Sequence, residues 1–357
     1  MSKEFIVPTG SIIKEYLDEI GMSQKECTKR LGISEKHLSN LLNGKSRLTE
    51  ETAIKLEKIF HEIPASYWLN YESKYREQLK REEINLKDFN EDTLNQLNQR
   101  YKFSEVFSGL GWDLKKQANE MLKLLRISSF DQFDRVYSNL KVDFMEDGGE
   151  KEAIAIWLNL AREEVEIQNK DLTNKKYDKE EFLKSLNRFK KLALNKDYEN
   201  SLLSARKLLN RLGVYLVFCD AIVNSKVRGA LTTYLKSPAI FLSGRFKTHD
   251  HIWFALMHEI GHLILHYDEN ETIVTLESEL ELDPQNQEPK ENEANSFARD
   301  FFINSDDFRK FIETDDFNKK NIEDFADSQN ILPGIVVARL QHDGYLSYDK
   351  LNYIKNK

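Results

Sequence analysis

His258-Glu259-Ile260-Gly261-His262 stands inside an apolar run that begins at Ile252-Trp253-Phe254-Ala255-Leu256-Met257 and continues through Leu263-Ile264-Leu265. Apolar residues almost all round a 3.6-residue period predict a helix buried in a core, from about Ile252 to His266. Side chains four apart on a helix lie on one face, about one turn apart, so His258 and His262 offer two imidazole nitrogens to one ion. Glu259 follows the first histidine and is placed to take a proton from a water at that ion. This H-E-x-x-H spacing is the one zinc peptidases use, with the glutamate as general base. Reading both histidines as core residues instead would require other partners for two buried imidazoles and a buried carboxylate.

A catalytic zinc site takes three protein ligands and leaves a fourth position open. The expected third ligand is Glu293, within Glu291-Asn292-Glu293-Ala294-Asn295-Ser296-Phe297-Ala298. Ala294, Phe297, Ala298 and Phe301 recur at helical spacing, so this segment should be a helix packed on the first, with Glu293 beside the apolar stripe. His258, His262 and Glu293 would then hold Zn2+, and Glu259 would be catalytic. His266 also lies four residues beyond His262, but each such step drifts about 40° around the helix. It is expected to cap the helix or support a ligand.

Upstream, a helix carrying Leu202, Ala205, Leu209 and Leu212 should stop at Gly213. Val214-Tyr215-Leu216-Val217-Phe218 reads as a buried strand, and Thr232–Leu235 with Ala239–Leu242 as a hairpin around Lys236-Ser237-Pro238. Strands followed by a buried ligand-bearing helix make an α+β domain. Asp268–Glu288, acidic and interrupted by Pro284, reads as a mobile loop at the mouth of the site.

Residues from about 200 to 345 resemble the ImmA/IrrE family of bacterial metallopeptidases. The likeness rests on Leu212-Gly213-Val214, Pro238-Ala239-Ile240-Phe241-Leu242, the run His258 to His266, Glu293-Ala294-Asn295-Ser296-Phe297-Ala298, Phe325-Ala326, Leu332-Pro333-Gly334-Ile335-Val336-Val337 and Arg339-Leu340-Gln341. The resemblance implies zinc on His258, His262 and Glu293, catalysis by Glu259, and cytoplasmic proteolysis of a repressor-type regulator. Many members have Leu-Met-Pro or Leu-Ile-Pro where this chain has Phe302-Ile303-Asn304, so the helix exit should differ.

At the other end, Ser23 to Ser34 reads as a capped helix, a turn at Gly32 and a new N-cap. Glu26, three after Ser23, should complete a capping box. Ser34 should cap a second helix, Glu35–Leu42, closed by Asn43-Gly44. This is helix-turn-helix spacing. Residues 23–47 hold six basic and two acidic residues, a local net charge of +4 on a chain of net charge −8. Such a patch suits phosphate contact. Residues 8–78 resemble the XRE-type helix-turn-helix, and within it the HigA-like antitoxins, through Pro8-Thr9-Gly10, Leu41-Leu42-Asn43-Gly44-Lys45, Thr49-Glu50-Glu51-Thr52-Ala53 and Tyr67-Trp68-Leu69. Glu35, Lys36, His37, Ser39 and Asn40 are the candidates to face bases, and Gln24, Lys45 and Arg47 the candidates for backbone or flanking contacts.

The 357-residue sequence has no apolar run near the ~20 residues that span a bilayer and no signal-peptide pattern at its start. Cys27 and Cys219 are its only cysteines, which suits a reducing cytoplasm and gives neither a disulfide framework nor a cysteine zinc site. Between the two ends the pattern is helical, with Asp113 as an expected N-cap, a break at Gly148-Gly149 and a solvated helix end plus connector over residues 162–181. The whole reads as a multidomain, mainly α protein. An all-α helix-turn-helix domain covers residues 1–80, a helical middle region 81–200, and an α+β zincin-like metallopeptidase domain 201–357. The expected function is a regulator that binds a double-stranded DNA operator and cuts a repressor- or antitoxin-like protein with Zn2+. The alternative is a HigA-like repressor or antitoxin whose zincin domain is a non-proteolytic sensor or scaffold. No membrane partner is expected, and a homodimer stays open.

Overall fold

The computed structural model describes residues 7–87, 90–138, 140, 151–170, 175–244, 248–276 and 289–355. Contacts divide the chain into two compact units, Met1–Leu94 and Asn95–Lys357. The contact division falls at Leu94/Asn95, beside expected bounds at 80/81 and 200/201.

The first unit holds α1 (Thr9–Glu19), α2 (Gln24–Leu31), α3 (Glu35–Leu42), α4 (Glu50–Ile59) and α5 (Ala65–Lys87). Small hydroxyl residues start the middle three. Ser23, Ser34 and Thr49 each accept a hydrogen bond from the backbone N–H three residues on. Gly32 ends α2 at φ 66°, a left-handed conformation that favours glycine. The capping box at α2 is only half formed, because the Glu26 carboxylate accepts from Arg30 Nε and Nη2 at 3.1 and 2.7 Å rather than folding back on Ser23. Ile13, Leu17, Leu31, Leu38, Leu41, Leu56 and Trp68 close a core from which water is excluded.

Pro8-Thr9-Gly10 has a specific place in this unit. The Thr9 hydroxyl donates to Oε2 of buried Glu72 on α5. A Cβ on Gly10 would fall 2.2 Å from the Leu41 carbonyl oxygen and 2.4 Å from Leu42 Cα, so α1 crosses the end of α3 at backbone contact. Glu72 also accepts from Leu48 N–H at 3.3 Å and from Arg76 Nε at 2.7 Å. Arg76 in turn donates to the Ser46 carbonyl at 3.0 Å. The loop after α3 is thus tied to α5 by charge-assisted hydrogen bonds.

The second unit begins within α6 (Glu91–Tyr101) and continues through α7 (Phe103–Val106), α8 (Leu114–Leu124), a 3-10 turn at Phe130–Gln132, α9 (Phe133–Val136), α10 (Lys151–Gln168), α11 (Lys179–Leu192) and α12 (Tyr198–Arg211). Asp113 caps α8, accepting from Lys116 N–H at 2.8 Å. Gly148-Gly149 lies outside the described residues. Then come β1 (Tyr215–Cys219), β2 (Val227–Tyr234), β3 (Ser237–Ser243), α13 (His249–Leu265), β4 (Ile273–Leu276), α14 (Pro289–Phe302), α15 (Ser305–Ile312), α16 (Lys319–Gln329), α17 (Pro333–His342) and α18 (Asn352–Lys355).

The sheet runs β1-β3-β2-β4, with β1 parallel to β3 and the other pairs antiparallel. Its two faces are covered by different helices. Ile240 and Leu242 join the core built on α13, whereas Phe241 meets Trp157 of α10 edge-on at 6.4 Å. Alternation along β3 makes this possible. The hairpin turn falls at Leu235-Lys236, both at positive φ (45° and 68°). Ser237 and Pro238, expected in the turn, begin β3, where a proline at a strand start is tolerated.

The charged stretch expected to be a solvated connector does more than connect. Asn169 Oδ1 accepts from Leu216 N–H at 2.9 Å, and Gln168 Oε1 from Phe218 N–H at 3.0 Å. Gln168 Nε2 donates back to the Phe218 carbonyl at 2.9 Å. These two side chains satisfy backbone groups on the outer side of β1, which would otherwise be an open sheet edge. Similarly, the start of the expected acidic loop forms β4, the opposite edge strand, paired with β2 from Ile273 to Leu276. Residues 277–288 of that loop lie outside the described residues.

Candidate metal centre and nucleic-acid face

α13 owes its position to burial. Trp253, Leu256, Met257, Ile260 and Leu263 are at most 1% exposed, and Trp253 Nε1 donates to Ser201 of α12 at 3.2 Å. With the helix fixed this way, His258, Glu259 and His262 are held inside, also at most 1% exposed. The Nε2 atoms of His258 and His262 lie 3.0 Å apart.

The third member of the cluster is Glu291, not Glu293. Oε2 of Glu291 is 3.1 Å from His258 Nε2, and Oε1 is 3.0 Å from His262 Nε2. Glu293 is 63% exposed at its side chain and instead meets His266 Nε2 at 2.8 Å. The inward face of α14 carries Glu291, Ala294, Asn295, Ala298 and Phe302, and Glu293 falls off it. The signal was available in the sequence. Glu291 precedes Ala294 by three, Asn295 by four and Ala298 by seven, the spacing of a single helical stripe.

Two glycines allow the close packing. A Cβ on Gly261 would lie 3.2 Å from Ala294 Cα and 3.1 Å from Phe297, so its absence lets α14 approach α13. A Cβ on Gly229 would lie 2.3 Å from Glu259 Oε1, so the Glu259 carboxyl rests against the β2 backbone. The β2–β4 register slips between Val227 and Gly229, a bulge beside the site. Thr275, the β4 partner of Gly229, brings its hydroxyl 3.3 Å from His258 Nε2 and is 1% exposed. Sequence reasoning missed Thr275 because β4 is a four-residue strand embedded in acidic chain.

The donor set fits a divalent ion. Bonds of 2.0–2.2 Å at tetrahedral angles separate ligand atoms by about 3.3 Å, near the 3.0–3.1 Å seen among the two imidazole nitrogens and the carboxylate. Asn295 Oδ1 faces His258 Nδ1 at 2.8 Å, so the ring proton belongs there and Nε2 presents a lone pair to His262 Nε2. Two such nitrogens and a carboxylate face one another within a buried site, and Oε2 of Glu291 has no aligned donor. Burial lowers the pKa of His262, keeping that ring neutral. A charged carboxylate and neutral imidazoles are the forms that bind metal.

On the first unit, α3 turns Leu38, Leu41 and Leu42 inward. Glu35, Lys36, His37 and Ser39 are exposed on the same helix, as are Gln24 at the start of α2 and Lys45 and Arg47 in the following loop. Asn40 is half-buried, and its carbonyl accepts from Lys45 and Ser46 N–H at 2.8 and 3.1 Å. Arg30 is partly neutralised by Glu26 at 2.7 Å.

Comparison with known proteins agrees with both parts. Residues 209–328 match the peptidase-family model described as IrrE N-terminal-like domain, and residues 13–68 match the helix-turn-helix model. An uncharacterized HTH-type transcriptional regulator, YddM of Escherichia coli strain K12, is 39% identical over 64 residues, 18% of this chain and 67% of that protein. Virulence-associated protein A of Dichelobacter nodosus is 35% identical over 60 residues, 17% of this chain and 59% of that protein. The matched segments are each under a fifth of this chain. The chain therefore carries an N-terminal XRE-type helix-turn-helix domain and a C-terminal IrrE-like domain of the M78 peptidase family.

Proposed function

We propose that this protein is a DNA-binding regulator acting in the cytoplasm, and that its C-terminal unit hydrolyses peptide bonds in a repressor- or antitoxin-type partner. The observation that carries the reading is the convergence of His258, His262 and Glu291 next to Glu259 in a buried site. Zinc held there would act as a Lewis acid toward a carbonyl and make water a better nucleophile. Glu259 takes a proton from the attacking water and returns it to the leaving amine. Gly229 leaves room for its carboxyl, and Asn295 holds His258 in the tautomer that exposes Nε2. Lys36, His37, Lys45 and Arg47 are assigned to the DNA face, with Gln24, Glu35, Ser39 and Asn40 beside them.

Zinc analysis and a cleavage assay with candidate repressors test the reading. The parent should hold about one zinc per chain, Glu291→Ala should lose it, and Glu259→Gln should keep it while cleavage falls about 10²–10⁴-fold. Retained cleavage of a confirmed substrate by Glu259→Gln overturns the mechanism. The burial of all four site residues, none above 4% exposed, favours a second reading in which the centre is a sensor or scaffold. That reading expects operator binding that survives Glu259→Gln and no proteolysis by the parent.

A further inference from the structure

We infer that His266 and Glu293 form a hydrogen-bonded chain that fixes the tautomer and orientation of His262, making them positioning residues for the metal centre rather than ligands. The inference rests on the assignment of His262 to that centre. His262 Nδ1 lies 3.1 Å from His266 Nδ1, and His266 Nε2 lies 2.8 Å from Glu293 Oε2. For neutral rings, one proton arrangement satisfies both contacts. A carboxylate oxygen accepts, so the proton of His266 is on Nε2 and its Nδ1 has a lone pair. His262 must then donate from Nδ1, which leaves its Nε2 lone pair directed at Glu291 Oε1 and His258 Nε2, 3.0 Å from each. The opposite tautomer of His262 would force His266 to turn a bare nitrogen toward a carboxylate at 2.8 Å with no cation to share, whereas the bare Nε2 atoms of His258 and His262 face Glu291 around the proposed metal position.

The geometry of the elements supports this. His266 is the C-cap residue of α13, at φ −127° and so outside the helical backbone, and its ring centroid lies 5.2 Å from that of His262. The His266 side chain is 7% exposed, whereas that of Glu293 is 63% exposed, so the chain of contacts runs from the buried ligand to the surface. Glu293 and Glu291 lie two residues apart on α14 and therefore face different ways. One reaches the cluster, and the other reaches the histidine behind it. Partners in this position raise ligand basicity and hold the ring, and their loss costs about 10–100-fold in metal affinity.

The test uses the full-length chain and Zn2+ in competition with a chromophoric chelator at fixed pH. Glu293→Ala, at an exposed position, should bind zinc about 10–100-fold more weakly than the parent while still holding one ion. Glu293→Gln, which keeps an acceptor oxygen but no charge, should fall between them. His266→Phe should match Glu293→Ala, and a double variant should be no worse than either single one. Nitrogen-15 spectra of the zinc form should show His262 protonated at Nδ1 in the parent, with that signal displaced in Glu293→Ala. Zinc affinity of Glu293→Ala within about twofold of the parent overturns the inference while the metal centre stands. A parent that takes up no zinc overturns the proposed function itself, and the inference with it.

Discussion

Gly229 and Gly261 show how single residues set the site. Neither side of the metal cluster has slack, and each glycine marks where another atom occupies the space of a Cβ. Gly229→Ala would push on the Glu259 carboxyl from 2.3 Å, and the atoms nearest the new methyl all belong to Glu259. It is expected to reproduce Glu259→Gln, with zinc retained at one per chain and cleavage reduced at least about 100-fold. Metal analysis beside a cleavage assay checks it, and unaltered cleavage would show that Glu259 can shift without loss. The histidines and Glu259 were legible because their spacing is local to one helix. Glu293 is expected as the ligand because it lies beside the apolar stripe of α14, but Glu291 lies near that stripe too. Which of two carboxylates turns inward depends on the rotation of α14 about its axis, and that is set by Ala294 lying against Gly261.

At the scale of elements, the crossing of α1 over α3 is tighter than the contact of α13 with α14. Gly10→Ala would place a methyl into the backbone of Leu41 and Leu42, which cannot rotate away as a side chain can. A destabilisation of about 1–3 kcal/mol is expected, by the usual cost of overpacking. Because α3 and its following loop carry Lys36, Lys45 and Arg47, operator binding should weaken in parallel. Thermal melting and a DNA-binding titration on the same variant test this, and unchanged melting would mean that α1 is free to slide. Helix ends were the most readable elements, since Ser23, Ser34 and Asp113 act on N–H groups three residues away. The helix exit at Phe302-Ile303-Asn304 also makes sense without a proline. Asn304 caps α15, accepting from Asp306 and Asp307 N–H at 3.0 and 3.1 Å.

At the scale of the molecule, the second unit depends on the helices before its sheet. α10 covers one sheet face, and Gln168 and Asn169 close the β1 edge. A fragment of residues 95–357 should therefore stay monodisperse and bind zinc like the full chain. A fragment of residues 201–357 lacks α10 and α11 and leaves β1 open, so it should aggregate or melt far lower. Size-exclusion chromatography and zinc content of the two fragments decide it, and a well-behaved shorter fragment would restore the boundary near residue 200. Among the described residues, no helix is long and apolar enough to cross a membrane.

The sequence by itself determined the helix-turn-helix, the buried helix with His258, Glu259 and His262, and the mainly α character with a small α+β part. Each follows from periodicity, capping or spacing within about a dozen residues, where backbone geometry alone relates the side chains. The tertiary structure decided that Glu291 faces the histidines, that Glu293 supports His266, that Thr275 reaches His258 from an edge strand, and that α10 with Gln168 and Asn169 packs on the sheet. Those outcomes rest on how separate elements rotate and dock, and the packing energies that fix them come from residues far apart in the chain.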